Sequence, residues 1–517
     1  MPNTRDIRLF GVRALAVLFS LTSLAAQVPS IEHVEPSAVR PGRTTTITIA
    51  GDNLKPPAEL WTSFPAQIRP AAVGQSAPAT EQPLQFDLTL PKDQRPGIGA
   101  IRVITPHGVS RWSLLLVDPC PTVGTAIESN IAPTSAALLA PGWAVDGRCD
   151  ELKSDYFRIH GRKGERIAID VIARQIGSPM DPLIRLTRLD GRDESISDDA
   201  SARQGDPALT YQWKQTGDRL LEVRDTQYRG GRKFRYRLRI GTEPARQLPF
   251  LAGAMPAPPA VLSEMMESEP NDERPQARAI FTGVSLRGRF ERPGDRDVFA
   301  VRAAKGERWI IRGRTRSLGS PCDLYLKLST TNGTKIATAN LGPENEGSIT
   351  NTFTGGGAYL LTVEELNHRG GDGLFYRIDT ELFGPRCNLS VDKESIQLPP
   401  GGSAELTITA ERRDYDGEIR IEAREANPGF QITNHIIKAK EKETKLKITA
   451  PAAARPGQWF HCRLVGRAAG TNAVFESVVS TRPALRNLWS EMSYPPEELD
   501  GWIAIAVRKP NEKEQKK

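Results

Sequence analysis

One block of this chain occurs twice, and no other feature constrains its fold as strongly. Asp155-Tyr156-Phe157 returns as Asp297-Val298-Phe299, Gly164-Glu165-Arg166 as Gly306-Glu307-Arg308, and Gly177-Ser178-Pro179-Met180-Asp181 as Gly319-Ser320-Pro321-Cys322-Asp323, at a constant offset of 142 residues. Farther on, Arg229-Gly230-Gly231 with Tyr236 returns as Arg369-Gly370-Gly371 with Tyr376 at an offset of 140, a drift that one small loop deletion explains. Two copies of one unit therefore stand in tandem. Within them Ile167, Ile169 and Val171 alternate with other residues, as do Leu324, Leu326 and Leu328 after the Gly-Ser-Pro turn. That period of two makes both copies antiparallel β units.

The rest of the chain follows the same pattern. A length of 517 residues exceeds one core and predicts three or four domains. The 44 glycines and 40 prolines imply many turns between short strands. After Val39-Arg40-Pro41-Gly42, Ile47 and Ile49 share one face and Thr46 and Thr48 the other, which reads as a strand following a Pro-Gly turn. Gly51-Asp52-Asn53-Leu54, Phe86-Asp87-Leu88-Thr89-Leu90 and Ile101-Arg102-Val103-Ile104-Thr105 continue the rhythm. From Cys387 to about residue 482, Leu389 and Val391, Leu406 and Ile408, Ile419 and Ile421, and Phe460, Cys462 and Leu464 alternate again, predicting an immunoglobulin-like sandwich. The expected fold is all-β: four tandem β-sandwiches, immunoglobulin-like and jelly-roll-like, after a signal peptide.

These motifs carry two resemblances. Residues 27–118 resemble an IPT/TIG domain, through the opening Pro-Gly turn and the later Gly-Asp-Asn-Leu. The duplicated segment, with Glu269-Pro270-Asn271-Asp272, Gly294-Asp295-Arg296-Asp297-Val298-Phe299 and Gly319-Ser320-Pro321, is similar to the bacterial pre-peptidase C-terminal domain. That family consists of β-sandwiches appended to secreted proteases and other exported proteins, and is similar to the collagen-binding domains of clostridial collagenases. The expected division is a signal peptide at 1–26, the IPT/TIG-like sandwich at 27–118, a first repeat at 119–245, a linker at 246–261, a second repeat at 262–384, an immunoglobulin-like sandwich at 385–482 and a C-terminal tail at 483–517. Its charged end, 509–517, is expected to be disordered.

Residues 1–26 place Arg5, Arg8 and Arg13 before an apolar run, 14–24, and end on Ala25 and Ala26. This is the order of a secretory signal, and the run is shorter than the roughly 18 to 20 apolar residues that span a bilayer. A secreted, periplasmic or cell-surface protein with no transmembrane segment after signal removal is expected. The charge of +7 is diluted over 69 basic and 62 acidic residues, the balance of an ordinary solvated surface rather than a nucleic-acid binder.

Five cysteines in such a compartment leave at least one unpaired or bonded to another chain. Cys387 lies in phase with Leu389 and Val391, and Cys462 with Phe460 and Leu464, making them the first candidate disulfide, with Cys120 and Cys149 the second. Cys322 stands where the other copy has Met180 and is expected to be a buried thiol.

The histidines, His33, His107, His160, His368, His435 and His461, are scattered, and the HExxH, GxSxG, P-loop and Rossmann signatures are absent. No catalytic residue is assigned and no enzyme is expected. Glu267, Glu269, Asn271, Asp272, Asp295 and Asp297 gather oxygen donors of the kind calcium takes in sets of six to eight. In collagenase-type relatives of the resembled family a matching acidic segment binds calcium with loop aspartates, which implies a site on these six residues. The alternative is a solvated Pro-Asn-Asp turn. The first copy keeps Glu128, Asn130 and Asp155 but has Lys153 in place of Asp295, so it is expected to bind none. Trp61, Trp143, Tyr211, Trp213 and Tyr228 are candidates for an exposed aromatic surface, Tyr228 above all because its loop is rich in turns.

The expected function is non-catalytic binding or scaffolding, adhesion to an extracellular protein or polysaccharide. The alternative is an accessory subunit of an exported peptidase system or an unrecognised exported hydrolase. Sequencing the amino terminus of exported material should find Gln27 or a near neighbour, and material still beginning at Met1 would refute the signal peptide.

Overall fold

The computed structural model describes residues 28–71, 83–123, 130–200, 203–242, 248–255, 262–340, 346–371, 373–425, 429–468 and 475–511. The expected signal peptide, Glu128 and residues 512–517 lie outside the described residues.

The alternation read in the sequence folds into stacked sheets. In the first sandwich, Ile47 and Ile49 of strand Thr44–Ala50 are buried while Thr46 and Thr48 look outward. That strand lies between His33–Glu35 and Leu84–Thr89, and the facing sheet is built on Ser113–Val117 and Gly97–Thr105. The two repeats share one topology. In the first, Ala137–Leu139, Asp155–Gly161, Gly217–Asp225, Pro182–Thr187 and Asp193–Ser197 lie side by side. The second has Arg278–Ile280, Arg296–Ala303, Gly357–Glu365, Leu324–Thr330 and Lys335–Asn340 in the same order. In the second copy Ser263–Met266 forms an edge strand of the other sheet, and at that place the described residues of the first copy show a bridge from Thr122 to Ala144. Met180 and Cys322 occupy matching buried places in the two cores.

The last sandwich extends past its expected boundary at 482. Trp502–Val507 pairs with both Trp459–Ala468 and Ser395–Leu398, so residues 483–507 are not a tail. Lys509 is also docked, its N–H donating to the Pro106 carbonyl at 2.8 Å. Every residue of Trp502–Val507 is buried, because each face of the strand meets a different core. Ile503 and Ile505 fill the last sandwich, while Ala504 and Ala506 pack on Ile104 and Val109 of the first. Gly97–Thr105 is its counterpart, with Ile101 and Val103 turned inward and Ile98, Ala100 and Ile104 turned toward the other domains. Doubly covered strands lose alternation and read as continuous apolar runs.

Arg102 sits in that outward row, fully buried. Its guanidinium donates to Glu394 Oε2 at 2.5 Å and to the Ser110 carbonyl at 2.6 Å, and lies 3.5 Å from the centre of the Trp112 ring. His461 stacks on the same indole, and Trp61, Trp459 and Trp502 surround it. A second buried arginine, Arg237 of the first repeat, pairs with Asp118 at 2.6 Å and Asp146 at 3.1 Å.

Residues 481–501 join all four units. Leu485, Trp489, Met492 and Leu499 share an apolar cluster with Ala38 and Trp112 of the first sandwich and Ile172 of the first repeat. Gln204 exchanges two hydrogen bonds with the Tyr494 backbone, at 2.8 and 3.0 Å, and Glu497 pairs with Arg314 of the second repeat. Gly177 is required here: its φ is +82°, and a Cβ would lie 2.6 Å from Trp489 Nε1. The described part of the expected linker is also docked. Pro249 and Leu251 bracket Ile98 with hydrogen bonds of 2.9 and 2.7 Å, and Leu248, Phe250 and Met255 join the same cluster. Their apolar side chains give this stretch a surface to bury, unlike a solvated spacer.

Both expected disulfides are corrected, since all five cysteines are free thiols. Cys387 and Cys462 do face the core of the last sandwich. The register through Glu476–Ser480, however, brings Cys387 level with Gly466, two strands away. Cys462 lies four residues farther along, about 13 Å at strand rise, beyond the ~7 Å that a disulfide spans between Cα atoms. Thr122, beside Cys120, pairs with Ala144, five residues or about 17 Å from Cys149. Cys322 is buried and free.

Truncating Glu394 to Ala leaves the buried Arg102 without its carboxylate and should cost about 3–5 kcal/mol, whereas Arg102→Ala leaves Glu394 paired with Arg111 at 3.3 Å and should cost less. Arg102→Met combined with Glu394→Leu should cost much less. Denaturant unfolding of the two single variants and the double variant measures the difference.

Candidate functional site

The second repeat concentrates carboxylates where strand Arg296–Ala303 begins. Asp297 points into the sandwich, fully buried, while Glu267 and Glu269 arrive from the segment that follows strand Ser263–Met266. One oxygen from each of these three residues lies within 4.8 Å of the others. Asn271, also buried, donates its backbone N–H to Glu269 Oε2 at 3.1 Å, and its carbonyl accepts from Val298 at 2.9 Å.

Tyr376 completes the cluster. Its hydroxyl lies 2.9 Å from Glu267 Oε2 and 2.7 Å from Asp297 Oδ2. A phenol carries one proton, so it serves one of the two carboxylates at a time. The ring lies over Gly288, where any Cβ would stand 2.3 Å from the ring and 2.4 Å from Glu267 Oε2. Glu269 Oε1, Asn271 Oδ1 and Asp297 Oδ1 are buried without a hydrogen bond, as are Asn271 Nδ2 and Asp295 Oδ1, the latter 3.7 Å from the Arg292 guanidinium. Buried polar atoms are normally paired, and the unpaired oxygens of Glu269, Asn271 and Asp297 are of the kind that a cation takes.

Of the six expected ligands, the structure brings Glu267, Glu269 and Asp297 into one group and sets Asn271 beside them. Asp295 stands just outside, its Oδ2 accepting from the Glu291 N–H at 2.5 Å. Asp272 is turned away and paired with Arg292. Asp272, Arg292, Gly294, Asp295 and His368 line an adjoining open recess of about 390 Å³. Sequence reasoning missed Tyr376 and Gly288. Tyr376 was visible as a repeat-matched tyrosine, but nothing in the sequence placed its hydroxyl between two acids.

Electrostatics follow from the burial. Asp297 is pushed up from 3.8 to about 8, first by burial and then by the charge of Glu267, against the hydrogen bonds from Tyr376 and Asn271. Burial also raises Glu267 and Glu269. In the first copy the same ring-over-glycine pair, Tyr236 on Gly147, holds Asp155 at 2.6 Å. Asp155 is raised to about 6 by burial, and Lys153 turns outward to Asp150 at 3.5 Å. Asn130 is buried there too.

The aromatic candidates divide. Tyr211 and Trp213 belong to the first repeat's core, and Trp61 to the cluster around His461. Trp143 and Tyr228 are exposed.

No family model and no curated protein matches this sequence. Among solved structures, the pre-peptidase C-terminal domain of a collagenase from Bacillus anthracis is similar to 20% of this chain and 93% of its own length, at 12% identity and a TM-score of 0.17. Fibronectin(III)-like modules of CbhA from Clostridium thermocellum cover 47% of this chain and 92% of theirs, at 10% identity and a TM-score of 0.14. A β-glucuronidase from Bifidobacterium dentium covers 35% of this chain, which spans 39% of the enzyme, at 11% identity and a TM-score of 0.22. The all-β sandwich assignment rests on the strand orders given above.

Asp297 holds a proton more tightly in the folded chain than in the unfolded one. The folded state therefore binds more protons between pH 3.8 and about 8, and metal-free stability falls as pH rises through that window. The melting temperature in chelator should be lower at about pH 8 than at about pH 5, and Asp297→Asn should flatten the difference.

Proposed function

We propose that this chain is an exported, non-catalytic binding and scaffold protein whose second repeat is fastened by calcium. The observation that carries the reading is the meeting of Glu267, Glu269 and Asp297, with unpaired buried oxygens on Glu269, Asn271 and Asp297, around a tyrosine whose single proton faces two carboxylates. The donors are all oxygen and include an amide, the chemistry of a hard cation taken in a flexible shell. Glu267, Glu269, Asn271 and Asp297 would hold the ion, with Asp295 at its edge. Asp272 is committed to Arg292 and drops from the expected set. Calcium would offset the repulsion among the buried carboxylates and tie the entering segment to the sandwich.

The scaffold reading draws support from the interdomain packing, which holds four sandwiches in one assembly. The non-catalytic reading draws support from the scatter of the histidines. His461 is enclosed by indoles, and His160 pairs with Asp218 on an exposed face of the first repeat. An extracellular protein or polysaccharide is the partner proposed. Copurification of a peptidase from the native envelope would replace adhesion with the accessory-subunit reading.

At free calcium about 100 times its dissociation constant, the full chain should gain about 2.7 kcal/mol. Melting curves with calcium and with chelator should separate accordingly, and a Glu269→Ala, Asp297→Asn double variant should bring them together. Coincident curves for the parent would leave the cluster as an ordinary acidic turn.

A further inference from the structure

Where strand Arg166–Ile172 begins, the two repeats share a scaffold and differ in what they build on it. The Gly164 N–H donates to the Trp213 carbonyl at 2.8 Å as Gly306 does to Phe353 at 2.7 Å, and the Trp213 N–H returns to Glu165 at 2.9 Å as Phe353 does to Glu307 at 2.8 Å. On this frame the first copy carries a buried polar network. Arg219 Nε donates to the Tyr211 hydroxyl at 2.9 Å, and that hydroxyl donates to Glu194 Oε2 at 3.0 Å. Tyr211 and Arg219 are each 6% exposed. At the same offsets of 142 and 140 residues the second copy has Ile336 for Glu194, Asn351 for Tyr211 and Tyr359 for Arg219. It folds without the network, so the sandwich does not require these polar groups, whose burial is unfavourable unless each is matched.

The network forms one wall of an open recess of about 520 Å³, within the ~300–1,000 Å³ of small-molecule sites. Glu194 lines it with Ser195, Thr210, Gln212, Lys163 and Lys214, beside the edge of Tyr211. Both lysines are exposed and form no ion pair among the described residues. The acids around them are engaged elsewhere. Glu194 has Arg219 at 3.9 Å, Asp193 is paired with Arg185, Asp190 with Arg188 and Arg192, and Asp218 with His160 and Arg158. Glu165 is exposed, with its carboxylate accepting the Arg162 N–H of its own turn at 2.8 Å, and it stands between the exposed Arg162 and Arg166. With Glu194 offset by Arg219, the charge left facing the recess is that of the two lysines. The second copy keeps one of them, Lys305, and has Thr354 in place of Lys214.

We propose that this recess binds an acidic polysaccharide built of uronic acid units, which rests on the polysaccharide partner named above and narrows it. Ring hydroxyls hydrogen-bond to Glu194, Ser195, Thr210 and Gln212, and the uronate carboxylates meet Lys163 and Lys214. Glu194 decides between anionic polymers. Its carboxylate accepts hydroxyl protons and repels oxyanions, so it suits a sugar with free hydroxyls beside its carboxylate and disfavours a phosphodiester chain, which offers it no such donor. The Arg219 and Tyr211 hydrogen bonds fix Glu194 before the ligand arrives, which lowers the cost of ordering it on binding.

The test is isothermal titration calorimetry of the full chain, in chelator, with polygalacturonate oligomers and with the same oligomers methyl-esterified. Chelator keeps the calcium site out of the result. The parent should bind the free acid and not the ester. Lys163→Gln with Lys214→Thr should weaken binding on the order of tenfold. Arg95→Gln with Arg455→Gln removes the same charge at exposed positions elsewhere and should leave it unchanged. A parent that does not bind the free acid, equal affinity for acid and ester, or an equal loss in the two double variants would overturn the proposal. Adhesion of the chain to another polymer or to a protein, alongside any of those results, would sink this site while leaving the scaffold reading in place.

Discussion

The outer faces of two strands, Gly97–Thr105 near one end of the chain and Trp502–Val507 near the other, pack on each other, and the arrangement of the domains depends on that contact. Each strand belongs to its own sandwich on one side and to the shared interface on the other. Apolar burial drives the approach, and the Arg102 and Glu394 pair enforces its register. A buried ion pair adds little net stability over apolar residues of the same volume, but it penalises every alignment that leaves one charge alone. The interface is therefore specific as well as favourable.

With the first and last sandwiches joined, residues 481–501 are positioned to reach both repeats. Trp489 lies over Gly177, Tyr494 pairs with Gln204, and Glu497 with Arg314. Contacts at this density make the chain a closed assembly. Motion between the first sandwich, the first repeat and the last sandwich must break the buried cluster they share.

The two repeats show how one scaffold supports two chemistries. Both keep the tyrosine over glycine, the buried asparagine and the arginine clamped to an acid, Arg229 to Asp225 and Arg369 to Glu365. These groups set the loop geometry. Substitutions around that geometry then decide which side chains each copy presents. Function resides in the site rather than in the fold.

Much of this was legible in the sequence. The 142-residue offset, the alternation of Ile47 with Thr48 and the acidic cluster of Glu267, Glu269 and Asp297 are local or periodic, and local pattern sets which face of a strand is apolar. Phase does not say how far along a neighbouring strand a partner lies, which is why Cys387 and Cys462 share a core without meeting. The six apolar residues of Trp502–Val507 carried the mark of a strand buried on both faces, yet they lay beyond the stretch read as the last domain. By itself, then, the sequence determined the strands, the duplication and the chemical character of the acidic loop. Only the tertiary structure decided that Tyr376 stands between Glu267 and Asp297 and that Arg102 meets Glu394, 292 residues away. Such pairings depend on which surfaces remain apolar after each sandwich has folded, a property that no single segment carries.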